Sequence, residues 1–271
     1  MEQKKLKDVA KRIRLQILKM LFKSRAAHIG GNFSSIEILT VLYFKIMRIN
    51  PQKSFWESRD RFILSKGHIA AGLYAVLAER GFFNKKILAN YCVNGGNLPG
   101  HASRNCVPGV EVSTGSLGHG LSMANGIALA GKRDKKNYRV FVLLSDGECD
   151  EGSNWEAILF AGHHKLDNLV AIVDYNKLQA FGKTNEVLNL EPFAAKWRNF
   201  GWETKEINGH NFKEIISALK NIPFKKRKPS VLIAHTIKAK GLSFMEDKLE
   251  SHYRPPTEEE YKIAIKEISN L

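Results

Sequence analysis

The chain has 271 residues, 44% hydrophobic and 25% charged, an ordinary globular composition that excludes a fibrous or low-complexity protein and predicts a single domain over 1–271. Forty-two Lys and Arg against 27 Asp and Glu give a formal charge of +15, a balance suited to anionic substrates or an acidic partner. The lysines are scattered and no nucleic-acid recognition motif accompanies them, so no nucleic-acid partner is expected, and the denser stretches, Lys4 to Arg14 and Lys225 to Lys228, read as solvated surface.

No apolar run approaches the roughly 18 residues that span a bilayer, and the polar, basic start is unlike a signal sequence. No membrane partner and a cytoplasmic location are therefore expected. Cys92, Cys106 and Cys149 are odd in number and lack Cys-x-x-Cys spacing, which fits a reducing compartment and argues against a structural zinc site.

Apolar residues recurring every three to four positions predict an amphipathic helix from Leu6 to Phe22. His28-Ile29-Gly30-Gly31 reads as a loop, and Ser34-Ser35 with Glu37 reads as the cap of a second helix running through Ile46. A short apolar segment, Phe62-Ile63-Leu64, precedes a third helix, Ile69 to Arg80, closed by Gly81. Tyr91 to Gly120 is rich in Gly, Asn, Ser and Pro and too long for a passive connection, so it reads as a functional loop region.

Three continuous apolar runs follow, Val140 to Leu144, Leu169 to Val173 and Val231 to Ala234, as expected of parallel strands buried on both faces. Helical patterns at Trp155–His163, Glu191–Phe200 and Phe212–Leu219 separate them. The alternation predicts an α/β fold, a doubly wound, mainly parallel sheet with helices on both faces and ligands beyond the strand carboxyl ends.

Two of these strands end in chemistry. The first runs into Ser145-Asp146-Gly147-Glu148 and the second into Asp174-Tyr175-Asn176-Lys177-Leu178, placing Asp146 and Asn176 in adjacent loops. Either piece alone is commonly a turn or a cap. Together a carboxylate, an amide oxygen and a backbone carbonyl can close around one hard cation, while Gly147 lets backbone N–H groups approach a phosphate.

This pattern resembles the thiamine diphosphate motif, Gly-Asp-Gly followed about thirty residues later by Asn-Asn, with Ser145 and Tyr175 replacing the first residue of each half. From His28 to His252 the chain is similar to the N-terminal, diphosphate-binding domain of transketolases. The resemblance is carried by Leu64-Ser65-Lys66-Gly67-His68, Leu98-Pro99-Gly100-His101, Gly115-Ser116-Leu117-Gly118-His119-Gly120, Asp146-Gly147 through Glu151-Gly152, and His235-Thr236-Ile237-Lys238 through His252.

The resemblance implies that Asp146, Asn176 and the Leu178 carbonyl hold Mg²⁺, with Ca²⁺ or Mn²⁺ as substitutes. It implies that His68, His252, Gly147 and the loop Gly115-Ser116-Leu117 hold thiamine diphosphate, and that His28, His101 and His252 are catalytic, with His28 and His101 handling the protons of sugar hydroxyls. Imidazole suits that work because it titrates near neutral pH. Glu151 and Glu156 match acidic residues near a subunit interface in the family. His119, where the family usually has glutamine, and Tyr253, where glycine is frequent, depart from its pattern.

The glutamate that activates the cofactor belongs, in the family, to a following pyrimidine-binding domain, and this sequence stops before one. The expected protein is therefore the N-terminal subunit of a two-chain transketolase, pairing as α2β2 with a C-terminal, pyrimidine-binding subunit. It would move a two-carbon ketol unit between sugar phosphates. The alternatives are a subunit of another thiamine diphosphate enzyme, deoxyxylulose phosphate synthase-like or oxoacid dehydrogenase-like, and a non-catalytic cofactor-binding subunit.

Overall fold

A computed structural model describes residues 2–271. Five parallel strands form one sheet in the order β1-β2-β3-β5-β4. They are β1 (Arg61–Leu64), β2 (Val140–Ser145), β3 (Leu169–Tyr175), β4 (Glu203–Asn208) and β5 (Ser230–His235). The three apolar runs are β2, β3 and β5, adjacent at the centre, as the alternation predicts.

The inner strands are apolar along most of their length because both faces are covered, and successive side chains enter opposite cores. Phe62, Leu64, Phe141, Leu143, Val170, Ile172 and Leu232 point into one core. That core is closed by helices α1 (Glu2–Ser24), α3 (Ile36–Val41), α4 (Ala70–Arg80) and α9 (Phe212–Lys220). Ile63, Val142, Leu144, Ala171, Val173 and Ile233 point into the other, under α5 (Gly120–Arg133), α6 (Gly152–His163) and α8 (Phe193–Asn199). The short helices α2 (Ile29–Ser34), α7 (Thr184–Val187) and α10 (Glu250–Tyr253) lie near the strand carboxyl ends, and α11 (Glu258–Ser269) packs on α1.

Several local expectations need correction. His28–Gly31 is not a loop, since Ile29 begins α2 with His28 at its N-cap in a left-handed conformation (φ 72°). Ser35 occupies the N-cap of α3 but makes no capping bond. A stronger acceptor competes: the Ser34 and Ser35 hydroxyls donate to Asp174 Oδ2 at 2.6 and 3.0 Å, and Glu37 turns to Arg14 at 2.7 Å and His210 at 3.2 Å. The helix read at Trp155 begins at Gly152, and the one read at Glu191–Phe200 is the shorter α8. Gly81 closes α4 as expected, at φ 95° with its N–H reaching back to Leu77 and Ala78.

Candidate active site

The carboxyl ends of β2 and β3 open into a cleft of about 420 Å³. Asp146, directly after β2, is buried, and its carboxylate accepts the Gly147 N–H at 2.8 Å and the Lys177 N–H. Asn176, directly after β3, accepts the Leu178 N–H at 3.1 Å through Oδ1, and Lys238 Nζ donates to the Leu178 carbonyl at 2.5 Å. All three sequence-predicted metal ligands therefore line one cleft.

Their donor set fits a hard cation. It is oxygen only, one carboxylate, one amide and one carbonyl, and among the described residues no cluster of three or more His, Cys, Asp or Glu offers a rival metal site. Burial, followed by the nearby Asp174, pushes the Asp146 carboxyl up to about 6, against the opposing pull of the Gly147 and Lys177 N–H groups and of the Lys66 charge.

The wall facing these oxygens is cationic. Lys66 and Lys238 are both buried and both line the cleft. Lys66 pairs with Asp174 at 2.5 Å, and at Asp174 burial is outweighed by this ammonium, which with Ser34 and Thr236 holds the carboxyl below its ordinary value. Burial, then the charge of Lys66, lowers Lys238 to about 8. Such a concentration of positive charge beside an oxygen ligand set suits a diphosphate bridged by a metal.

Four imidazoles complete the cleft. The His28 ring lies 5.2 Å from His68, 5.0 Å from His252 and 6.0 Å from His101. The His28 backbone N–H donates to the His252 carbonyl at 3.0 Å, which ties α2 to α10. Burial and then His101 lower His28 to about 4; burial and then Lys238 lower His252 to about 3; burial and then Lys66 hold His68 well below its ordinary value. These three rings are neutral near pH 7, with His252 Nδ1 lying 3.3 Å from Lys238 Nζ.

Other sequence-predicted residues divide. Gly115 and Leu117 line the cleft, whereas Ser116 is exposed and outside it. A Cβ on Gly115 would stand 3.4 Å from the His101 ring, so glycine lets this loop lie against that histidine. Gly147 lines the cleft as well; its N–H donates to Asp146, and a Cβ there would come within 2.6 Å of Gln179 Cβ, so glycine lets the turn lie close against Gln179. Glu151 is exposed at the cleft edge, and Glu156, exposed on α6, lies outside it.

Sequence reasoning assigns no role to Lys66, Lys238, Asp174 or Glu148. Lys66, Lys238 and Glu148 stand inside the segments that carry the resemblance, but a charged side chain shows its burial only once the fold surrounds it.

Residues 5–268 match the family described as the thiamine diphosphate binding domain of transketolase. The chain is 44% identical over 256 residues to an apulose-4-phosphate transketolase subunit of Phocaeicola vulgatus, covering 94% of this chain and 91% of that one. It is also 44% identical over 263 residues to a 6-deoxy-6-sulfo-D-fructose transketolase subunit of a Clostridium species, covering 97% and 96%. The fold superposes on the crystal structure of Campylobacter jejuni transketolase with a TM-score of 0.91 at 33% identity, over 97% of this chain but 42% of that one. Family match, near-complete coverage of two subunits and superposition agree: the chain belongs to the transketolase thiamine diphosphate-binding domain family.

Proposed function

We propose that this chain, folded as one diphosphate-binding domain over 1–271, is the N-terminal subunit of a two-chain transketolase. It would pair, as α2β2, with a C-terminal subunit carrying the pyrimidine-binding domain and transfer a two-carbon ketol unit from a ketose to an aldose phosphate. The observation that carries this reading is the convergence of Asp146, Asn176 and the Leu178 carbonyl with Lys66, Lys238 and four histidines in one cleft. The two-chain arrangement is supported by similarity along almost the whole length of relatives that are themselves named as subunits.

Asp146, Asn176 and Leu178 would hold Mg²⁺, and His68, His252, Gly147 and the Gly115-Ser116-Leu117 loop would hold thiamine diphosphate. Bound there, the cofactor would supply the nucleophilic carbon and electron sink that C–C cleavage beside a ketone requires. This chain's contribution is orientation and proton transfer. His28 and His101 would accept and return the hydroxyl protons of the sugar; His28, lowered to about 4, is deprotonated near neutral pH but is a weaker base than an ordinary imidazole.

Glu151 and Glu156 would face a neighbouring subunit. The relatives' names pair a phosphosugar with a sulfosugar, so an anionic group remote from the carbonyl is the feature we propose the substrates share.

The reading predicts that the chain with Mg²⁺ and cofactor shows no ketol transfer alone and gains it when the C-terminal subunit is added. Turnover by the chain alone would refute the division of labour. Outer-shell substitutions at metal sites cost 10–100-fold, so Asp146→Ala, which deletes a direct ligand, should weaken magnesium-dependent cofactor binding by at least roughly 100-fold. Unchanged affinity in a calorimetric titration would remove Asp146 from the metal site.

A further inference from the structure

Glu148 lies in the short helical turn Gly147–Asp150 that follows β2. Its side chain is fully buried and forms part of the cleft wall. A buried carboxylate is tolerated when donors saturate its oxygens, and here the donors come from three separate segments. The Ser65 hydroxyl donates to Oε1, the Gly118 N–H donates to Oε1 at 3.0 Å, and the Ser145 N–H donates to Oε2 at 3.2 Å.

Each donor adjoins a different part of the proposed cofactor site. Ser65 directly precedes Lys66-Gly67-His68, Gly118 closes the Gly115-Ser116-Leu117 loop, and Ser145 directly precedes Asp146. The junction has no slack. Gly118 sits at φ 82°, where a Cβ would fall 2.4 Å from Ser153 Oγ, and a Cβ on Gly120 would fall 2.2 Å from Ser65 Oγ. The Glu148 carbonyl also accepts Asn154 Nδ2 at 2.6 Å, which anchors the turn to α6.

We infer that Glu148 is a positioning residue whose carboxylate sets the spacing between the Lys66–His68 wall, the Gly115–Leu117 loop and the Asp146 metal end. The inference rests on the cofactor reading above and adds a residue to which that reading gives no role. A glutamine at this place would still accept from Ser65 and Gly118, but its amide would oppose the Ser145 N–H, donor against donor. An alanine would strand both backbone N–H groups.

The test uses the assembled enzyme, titrated with thiamine diphosphate at saturating Mg²⁺, as wild type, Glu148→Gln and Glu148→Ala, with Leu219→Ala in the core under α9 as a stability control. Losing one buried hydrogen bond should raise the cofactor dissociation constant of Glu148→Gln about tenfold, and Glu148→Ala should raise it further. The loss in Glu148→Gln should appear in the KM for thiamine diphosphate more than in kcat at saturating cofactor. The Gly118 and Ser145 amides should exchange faster in both variants.

Wild-type affinity in Glu148→Ala would overturn the inference and leave the cofactor site standing. An equal loss of cofactor affinity in Leu219→Ala would overturn it too, by reducing Glu148 to a general stabiliser. Absence of any magnesium-dependent binding by the wild type would overturn the cofactor reading and the inference together.

Discussion

Two buried carboxylates occupy opposite ends of the same sheet and are surrounded very differently. Asp60, just before β1 at the amino end, accepts the backbone N–H groups of Arg48 and Arg139, both at 2.9 Å, and the guanidinium of each, the shortest of these contacts being Arg139 Nη2 at 2.6 Å. Those two arginines still reach water, at 41% and 25% side-chain exposure. Asp174, in the penultimate position of β3 at the carboxyl end, takes a fully buried lysine, three hydroxyls and the Asn176 amide.

At the amino end two half-exposed cations saturate one acid. At the carboxyl end Lys66 and Lys238 stand beside neutral imidazoles and face open volume. Being buried and charged does not mark a functional acid; buried cations in contact with a cleft at the strand carboxyl ends do.

The contrast yields ordered expectations. Asp174→Ala should have the largest effect, because it strands a fully buried ammonium, and removing one member of a buried pair costs about 3–5 kcal/mol. Asp60→Ala should cost less, about 2 kcal/mol, because its arginines can turn to solvent and the main loss is two backbone acceptor contacts. Urea unfolding measures both. The comparison sharpens if Asp174→Ala also weakens cofactor binding while Asp60→Ala leaves it unchanged. It breaks if the two variants are equally unstable, or if Asp60→Ala impairs the cofactor site.

What can be read in the residues follows the same division. The central strands are legible because burial on both faces leaves continuous apolar runs, as at Val140–Leu144. The edge strand β4, Glu-Thr-Lys-Glu-Ile-Asn, is not, because one side meets solvent and its residues are only partly buried. α5 escapes notice, being built largely of glycine, alanine and serine, whose small side chains give weak periodicity. α11 carries a readable signal, the reciprocal Thr257 and Glu260 capping box.

In the site, Asp146, Asn176 and the histidines emerge from residue type, strand-end placement and resemblance. The Lys66–Asp174 pair and the Glu148 contacts join positions 108 and 83 residues apart for Lys66 and Ser65 respectively. No local pattern encodes such pairs, and only the sheet brings them together.

The smallest effect concerns acid. His28 is lowered to about 4, His252 to about 3 and His68 well below its ordinary value, whereas an unfolded chain protonates histidine near 6.5. Between about pH 6.5 and pH 4 the unfolded chain therefore binds more protons than the folded one at these positions. Their contribution then makes stability fall as pH drops through that window and leaves it flat above. Glu37, held below its ordinary value by Arg14 and His210 against the opposing effect of burial, adds a loss at lower pH that is common to wild type and cleft variants.

His28→Asn isolates the imidazole contribution, because asparagine tolerates the left-handed backbone at φ 72°. Urea midpoints at about pH 7.5 and about pH 5 should lie closer together in His28→Asn than in the wild type. Parallel pH profiles would mean that the His28 imidazole is as free to protonate in the folded chain as in the unfolded one, and the distinction between a saturated amino end and an anion-ready carboxyl end would lose one of its physical supports.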